Sequence, residues 1–406
     1  LDLVITDHHE CRDALPDAAA VVDPKCRDCD YKNPLLAGVG VAFKLICALE
    51  SDRTAGEMLD RYGDFVAIGT VADVMPVTGE NRALIKGGLR KLSREPRPGL
   101  TALMRVSGVP RSTINTATIG FSLAPRLNAA GRMGQTDLSV SILLTEDAHE
   151  AEVLTRQLCD LNDERRRLES GIFDEVKRIL EDNPPDGPIV MSGENWYHGV
   201  MGIVAARAAE RWMTPAIMIN VDAEGIGRGS CRSYGEFKMY SALSGCSDLL
   251  MNFGGHEMAA GITIHRDNIA ALRECITQRY RETIKVCPAP TLRLDFEVEK
   301  AQLLDITNVE ALERVEPFGV GNFAPAMVIR SARLALISGV GGGKHTRMRI
   351  EKCGRALDCI FFAAETASLG IAEGDMIDVA FEPQINEFRG RKSVQLHVID
   401  VRLSGD

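Results

Sequence analysis

Near its start the chain alternates short apolar runs with helical periodicity. Residues 2 to 6 (Asp2-Leu3-Val4-Ile5-Thr6) read as a buried β-strand, Ala18 to Val22 as a second apolar run, and Val39 to Leu49 and Met58 to about Val71 as helices. That alternation predicts a parallel α/β sheet covered by helices. From Asp147 to about Leu180, apolar residues at 151, 154, 158, 161, 168, 172, 176 and 179 recur at helical spacing with no proline and no glycine before Gly171. One long connecting helix is expected. The breakers Asn183-Pro184-Pro185-Asp186-Gly187-Pro188 end it, and a second α/β pattern follows: strand at Ile189 to Met191, helix at Gly199 to Trp212, strand at Ala216 to Ile219. After a further break at Cys287-Pro288-Ala289-Pro290 come short alternating strands, Thr291 to Phe296, Met327 to Ile337, Arg347 to Ile350, Met376 to Phe381 and Ser393 to Val401, which suit a small β-barrel. The expected fold class is therefore α/β: a parallel-sheet domain over 1–145, a connecting helix over 146–185, a second α/β domain over 186–287 and a barrel over 288–406.

Composition changes this picture little. At 406 residues, with 45% hydrophobic and 26% charged, the chain has room for two or three domains. No apolar run approaches the roughly eighteen residues of a membrane span, so no membrane association is expected. The first residues show neither an initiator Met nor a signal peptide, and the expectation is a chain that starts inside a domain. Eleven scattered cysteines suggest a reducing, cytoplasmic setting with free thiols and no disulfide framework. Cys26-Arg27-Asp28-Cys29 is the only CxxC, and no second pair follows at zinc spacing, so a structural zinc is not expected. The net charge of −10 argues against nonspecific coating of DNA, but the sign of a local groove decides phosphate attraction.

Four clusters carry candidate chemistry. Asp7-His8-His9 follows the opening strand, where a parallel sheet presents its ligand-binding edge; one imidazole can bind a metal while the next faces substrate and the carboxylate orients a ring. A solvated polar loop is the plain alternative. In Gly69-Thr70-Val71-Ala72-Asp73-Val74-Met75-Pro76 a carboxylate interrupts an apolar helix end, where the macrodipole disfavours it unless a cation is near; a lone loop-capping Asp is the alternative. Arg126, Asn128 and Arg132, among small residues, offer phosphate donors or interdomain salt bridges. Ser230, Arg232 and Ser233 after Gly229, together with Gly254, Gly255 and His256, suggest an anion site in which the two glycines form a tight turn, or else only a glycine-rich hairpin. Two further signals are discounted. Gly339-Val340-Gly341-Gly342-Gly343-Lys344-His345 departs from a phosphate loop at both ends and reads as a hairpin tip, while Gly38-Val39-Gly40 reads as helix entry.

In order, these motifs resemble the DHH phosphoesterase family. The match runs across essentially the whole chain to its RecJ branch, the single-strand-specific 5′ exonucleases. It rests on VITDHHE, LAGVGVAFKL (36–45), GTVADVMP, RLNAAGRMG, NWYHGVMGIVAAR (195–207), GSCRS, FGGHEMAAG, VEPFGVGN (315–322) and INEFRGRKSVQL (385–396). GSCRS and FGGHEMAAG are similar to the DHHA1 domain, and the last two motifs to the RecJ-type OB domain. The resemblance implies a two-metal centre, Mn²⁺ or Mg²⁺, that activates water for attack on a phosphodiester. It assigns His8 and Asp73 as metal ligands, Asp7 as a support behind them and His9 as a phosphate or leaving-group contact. It places further metal-binding aspartates in motifs before the DHH strand, so the centre is expected to be incomplete in these residues and this stretch alone inactive. Two departures from the family pattern are Tyr197-His198 and Cys231.

The implied function is 5′-to-3′ hydrolysis of single-stranded DNA in repair and recombination, by a monomer that works beside single-strand-binding protein and helicase partners. A DHH/DHHA1 phosphodiesterase for oligoribonucleotides or cyclic dinucleotides is the alternative among hydrolases, but it needs no third domain. The last region adds Arg330, Arg333, Lys344, Arg347, Arg349, Lys352, Arg355, Arg389, Arg391 and Lys392, with Phe361, Phe362 and Phe388 interspersed, as an OB surface gripping a strand requires. From another class, a noncatalytic nucleic-acid-binding scaffold is the competitor, which the joint presence of His8, His9, Asp73 and His256 disfavours.

Overall fold

A computed structural model describes residues 2–11, 14–27, 29–284, 291–388 and 390–405. By contacts the chain falls into two compact units, one made of residues 1–94, 112–120 and 290–406, the other of 95–111 and 121–289. The break expected at 287–290 lies outside the described residues.

In the first unit, β1 (Val4–Thr6) pairs in parallel with β2 (Ala20–Val22). Helices α1 (Gly38–Leu49), α2 (Ala55–Ala72) and α3 (Gly79–Arg94) follow, with the one-turn α5 (Thr116–Thr118) further on. The start of α2 is fixed by a capping box in which Thr54 and Glu57 satisfy each other's backbone N–H groups. Leu36, Val41, Phe43, Met58, Val66 and Leu84 form the apolar core between these helices. The parallel pairing matches expectation, but the opening strand is not buried: Leu3 and Val4 are 49% and 54% exposed. A run of apolar residues signals a strand without revealing which faces are covered.

The rest of this unit is β8 (Phe296–Glu297), α12 (Ile306–Leu312) and five long strands: β9 (Met327–Val340), β10 (His345–Lys352), β11 (Arg355–Phe361), β12 (Met376–Phe388) and β13 (Arg391–Leu403). The order β10-β11-β13-β12-β9, with β9 returning to β10, closes a barrel in which only β11 and β13 run parallel. Inward positions such as Ile329, Met348, Ile350, Cys359, Phe381 and Leu396 fill it. The expected strand at Thr291 to Phe296 shrinks to two residues, and β11, which was not anticipated, completes the closure. The 341–344 stretch is a turn between β9 and β10, as expected of a hairpin tip.

The second unit contains α4 (Pro98–Val106), α6 (Ala124–Arg132), α7 (Thr136–Leu144) and the 35-residue α8 (Ala148–Asp182), whose N-terminus is capped by Asp147 accepting from the Glu150 N–H. Beyond it lie β3 (Ile189–Gly193), α9 (Met201–Trp212), β4 (Ala216–Val221), β5 (Ile226–Arg232), α10 (Met239–Ser244), β6 (Leu250–His256), β7 (Ala259–His265) and α11 (Ile269–Thr283). The sheet order is β3-β4-β5-β7-β6, with β3 and β4 parallel and the remaining pairs antiparallel. One core lies between the sheet and α10 and α11, around Ile217, Ile262 and Leu272; another joins α8, α9 and β3 around Val176, Val204 and Ile189. Against the expectation of free thiols, Cys246 and Cys275 are disulfide-bonded. Among the described residues no helix is long and apolar enough to cross a membrane.

Candidate active site

Asp7 leaves β1 with its backbone N–H held by the Val22 carbonyl of the neighbouring strand. Its carboxylate turns back on the chain: Oδ1 accepts from the His8 N–H at 2.7 Å and meets His9 Nδ1 at 2.7 Å. The His9 contact, with the His8 amide, brings the Asp7 carboxyl down to about 2, so it stays anionic and fixes the His9 ring. His8 points the other way. Its Nε2 lies 3.5 Å from Asp73 Oδ2, although 65 positions separate the two residues.

Asp73 is the C-cap of α2, as expected of a carboxylate at a helix end, and its side chain is 44% exposed. The turn it starts is unusual: Val74 adopts a positive φ of 58°, and the Met75 N–H returns to the Thr70 carbonyl. Glycines set the spacing. A Cβ on Gly38 would lie 3.3 Å from His8 Cδ2, and one on Gly69 would lie 2.6 Å from Val39 Cγ1, so both residues exist to let α1 approach the histidine and α2.

Two groups hold this turn, and only the first was not singled out in the sequence. Buried Asn81 in α3 donates from Nδ2 to the Leu35 and Pro76 carbonyls, at 2.6 and 3.0 Å, tying the segment before α1 to the one after Asp73. A buried amide on an otherwise apolar helix face was the available signal. The VEPFGVGN loop is the other. The Val77 N–H donates to the Val320 carbonyl at 2.7 Å, Arg82 Nη2 donates to the Glu316 carbonyl at 2.8 Å, and a Cβ on Gly319 would come within 2.5 Å of Val77 Cγ2. This motif braces the turn that presents Asp73.

In the second unit a cavity of about 400 Å³ gathers Arg132, His198, Ser230, Arg232, Gly254 and Gly255. Ser230 and Arg232 sit two apart on β5 and so face the same side, with Arg232 Nη1 donating to Ser230 Oγ at 3.1 Å. Desolvation lowers the Arg232 guanidinium from its ordinary value; at Arg132 desolvation and then the like charge of Arg232 do the same, offset in part by Glu169. Converging cations of this kind favour an anion between them. Close backbone packing brings α6 to this place: a Cβ on Gly199 would meet the Arg132 carbonyl, and one on Gly202 would lie 2.9 Å from Arg232 Nη2. Gly254 differs, since a Cβ there meets no protein atom within 4 Å, which leaves its open side to a ligand.

The remaining candidates fall elsewhere. Arg126 donates to the Ser122 carbonyl of its own helix turn, Asn128 is exposed on α6, and neither lines the cavity. Ser233 closes the turn after β5 by bonding to the Phe237 carbonyl. His256 ends β6, outside the lining. Gly254, Gly255 and His256 belong to a strand rather than to the expected tight turn; Gly255, at φ 140°, flattens its end against Ala259 and Ala260. His198, noted in the sequence only as a departure from the family pattern, joins the lining.

On the barrel many of the expected strand-gripping cations are engaged internally. Arg330 pairs with Glu297 and Asp378, Arg333 with Glu351, Arg349 with Asp358 and Lys392 with Glu310, while Arg355 donates to the Gln302 and Leu304 carbonyls. Arg389 and the Phe388 side chain lie outside the described residues. Phe361 is partly buried against the core, whereas exposed Phe362 stands edge-on between His345 and His397, with ring centroids 5.5 and 5.3 Å away.

The N-terminal domain of the DHH family matches residues 1–70, the DHHA1 domain 186–282 and the RecJ OB domain 294–400. The combination defines a DHH/DHHA1 protein with an appended OB barrel. The single-stranded-DNA-specific exonuclease RecJ of Escherichia coli (strain K12) is 33% identical over 434 residues, covering 98% of this chain and 73% of that relative. RecJ of Bacillus subtilis (strain 168) is 38% identical over 410 residues, covering all of this chain but 51% of its own length, so the chain spans about half of that relative. The crystal structure of RecJ in complex with Mn²⁺ from Thermus thermophilus superposes with a TM-score of 0.83 at 28% identity, covering 100% of this chain and 59% of that one. The chain belongs to the RecJ family.

Proposed function

We propose that the protein hydrolyses phosphodiester bonds of single-stranded DNA from the 5′ end, using a divalent metal held in part by His8 and Asp73. The observation that carries this reading is the 3.5 Å approach of His8 Nε2 to Asp73 Oδ2. Two ligands about 2.1 Å from one ion sit roughly 3–3.5 Å apart, so the pair fits a shared cation, and imidazole with carboxylate suits Mn²⁺ or Mg²⁺. Bound there, such an ion lowers the pKa of a water and neutralises charge developing on a phosphate. The RecJ names of the relatives and the Mn²⁺-bound Thermus protein support the same assignment.

The chain's own residues divide the remaining tasks. Asp7, held anionic, fixes the His9 ring, which faces substrate to contact the scissile phosphate or leaving oxygen. Arg132, Ser230 and Arg232 take the terminal 5′-phosphate with charge-assisted hydrogen bonds, Gly254 leaving room for the strand. The exposed Phe362 ring offers a stacking surface for bases. Hydrolysis by the full-length protein of strands labelled at either end, with Mn²⁺, tests the reading: the 5′ label is released first, and His8→Ala releases neither. Full activity of His8→Ala at saturating Mn²⁺ would reject the metal assignment.

A further inference from the structure

Beside the DHH turn, on its far side from Asp73 in sequence, lies a second cluster of metal-ligating atoms. Cys11 Sγ is 2.9 Å from Cys26 Sγ and 3.3 Å from Asp23 Oδ2, and one donor atom from each of the three residues falls within 4.8 Å of the others. Asp23 is buried at 6% exposure, and its other oxygen already accepts the Lys25 N–H at 2.8 Å. A buried carboxylate aimed at two thiols is an expensive arrangement unless a cation joins them. The backbone is folded for it: the Cys26 N–H donates to the Asp23 carbonyl and the Cys29 N–H to the Cys26 carbonyl, successive tight turns that bring the CxxC pair round. Cys29 lines the same cavity of about 580 Å³ as Cys11, Asp23 and Cys26.

We propose that Cys11, Asp23 and Cys26 bind a zinc ion, with Cys29 as the fourth ligand. Tetrahedral Zn²⁺ with S at ~2.3 Å and O at ~2.0–2.2 Å sets its sulfurs about 3.8 Å apart and sulfur to oxygen about 3.5 Å. The Cys11–Cys26 and Cys11–Asp23 separations need widen by less than about an ångström to admit the ion, and the exposed Cys29 side chain would turn in to complete the set. Entry of Zn²⁺ releases the proton of each ligating thiol and replaces it with a Zn–S bond, leaving the carboxylate ionised. Thiolates select zinc over Mn²⁺ and Mg²⁺, whereas the imidazole–carboxylate pair of His8 and Asp73 does not, so the two sites sort different ions. The position gives the ion a structural role. Cys11 follows His9 by two residues, and Asp23 follows Val22, whose carbonyl holds the Asp7 N–H, so the ion would clasp both ends of the DHH turn. Sequence alone conceals this site because Cys11 and Asp23 reach the CxxC from outside any zinc spacing.

The test is metal analysis of the full-length protein purified under reducing, chelator-free conditions, together with Co²⁺ substitution. One equivalent of zinc is expected, retained in His8→Ala and lost in Cys11→Ser and Cys26→Ser. Co²⁺ added to the zinc-stripped wild type should give thiolate-to-metal charge-transfer absorption, which needs no variant to fold. Absence of both zinc and that absorption in the wild type would overturn the site, as would zinc persisting in both serine variants. A Cys11–Cys26 disulfide that remains under reducing conditions would also overturn it.

Discussion

At the DHH turn the converging groups are imidazoles and carboxylates; in the Arg132 cavity they are two guanidiniums, a hydroxyl and bare glycine backbone. The first has the chemistry to suit a cation and the second an anion. They are also built differently. At the turn, glycines 38, 69 and 319 lie against neighbouring side chains and serve packing, as Gly199 and Gly202 do at the cavity, whereas Gly254 there faces open space. The contrast separates glycines that bring a site together from glycines that leave it room. Under the proposed function, hydrolysis would fall to the turn and end recognition to the cavity.

The largest effect expected from breaking this contrast is at the metal pair. His8→Ala or Asp73→Ala should abolish turnover while leaving circular dichroism unchanged, since neither side chain belongs to the apolar core between the helices. Asp7→Asn should cost about 10–100-fold, the usual loss when a group orienting a metal site is removed. Its activity should recover in part on titrating Mn²⁺, which steady-state rates at increasing metal would reveal.

The two kinds of glycine give the next test. Gly69→Ala places a methyl 2.6 Å from Val39 Cγ1 and Gly319→Ala places one 2.5 Å from Val77 Cγ2. Each should destabilise the protein by about 1–3 kcal/mol in urea unfolding, the scale of overpacking. Gly254→Ala should leave stability within about 0.5 kcal/mol, as an unstrained surface change does, yet weaken binding of single-stranded DNA. Phe362→Ala should have the smallest effect, about a fivefold loss of strand affinity from one stacked base at ~1 kcal/mol, read by fluorescence anisotropy.

Much of the candidate site was legible because its residue types violate their surroundings. Asp73 stood out as a carboxylate at an apolar helix end, and it is a helix C-cap facing a histidine. What failed is mostly geometry that periodicity could have supplied. Arg126 and Arg132 are six apart on α6, about 240° round a helix of 3.6 residues per turn, so they leave it in different directions. Ser230 and Arg232 share a strand face, and Ser233, an odd step away, does not. Pairing across the barrel was beyond reach, since nothing local tells that Asp358 lies opposite Arg349 and quenches it. Likewise β1 reads as apolar whether or not anything covers it, and its Leu3 and Val4 are exposed. The fold class survived these errors because element type depends on period and breakers, while burial depends on neighbours distant in sequence.

The division of labour is tested most directly by assaying the full-length wild type, His8→Ala and Arg232→Ala on strands that differ only in carrying a 5′-phosphate or a 5′-hydroxyl. His8→Ala should lose activity equally on both. Arg232→Ala should lose about 10- to 150-fold on the phosphorylated strand, the worth of a charge-assisted hydrogen bond of ~1.5–3 kcal/mol, and far less on the hydroxyl strand. Equal losses for Arg232→Ala on the two strands would contradict the account, making that residue a general backbone contact and removing the cavity from end recognition.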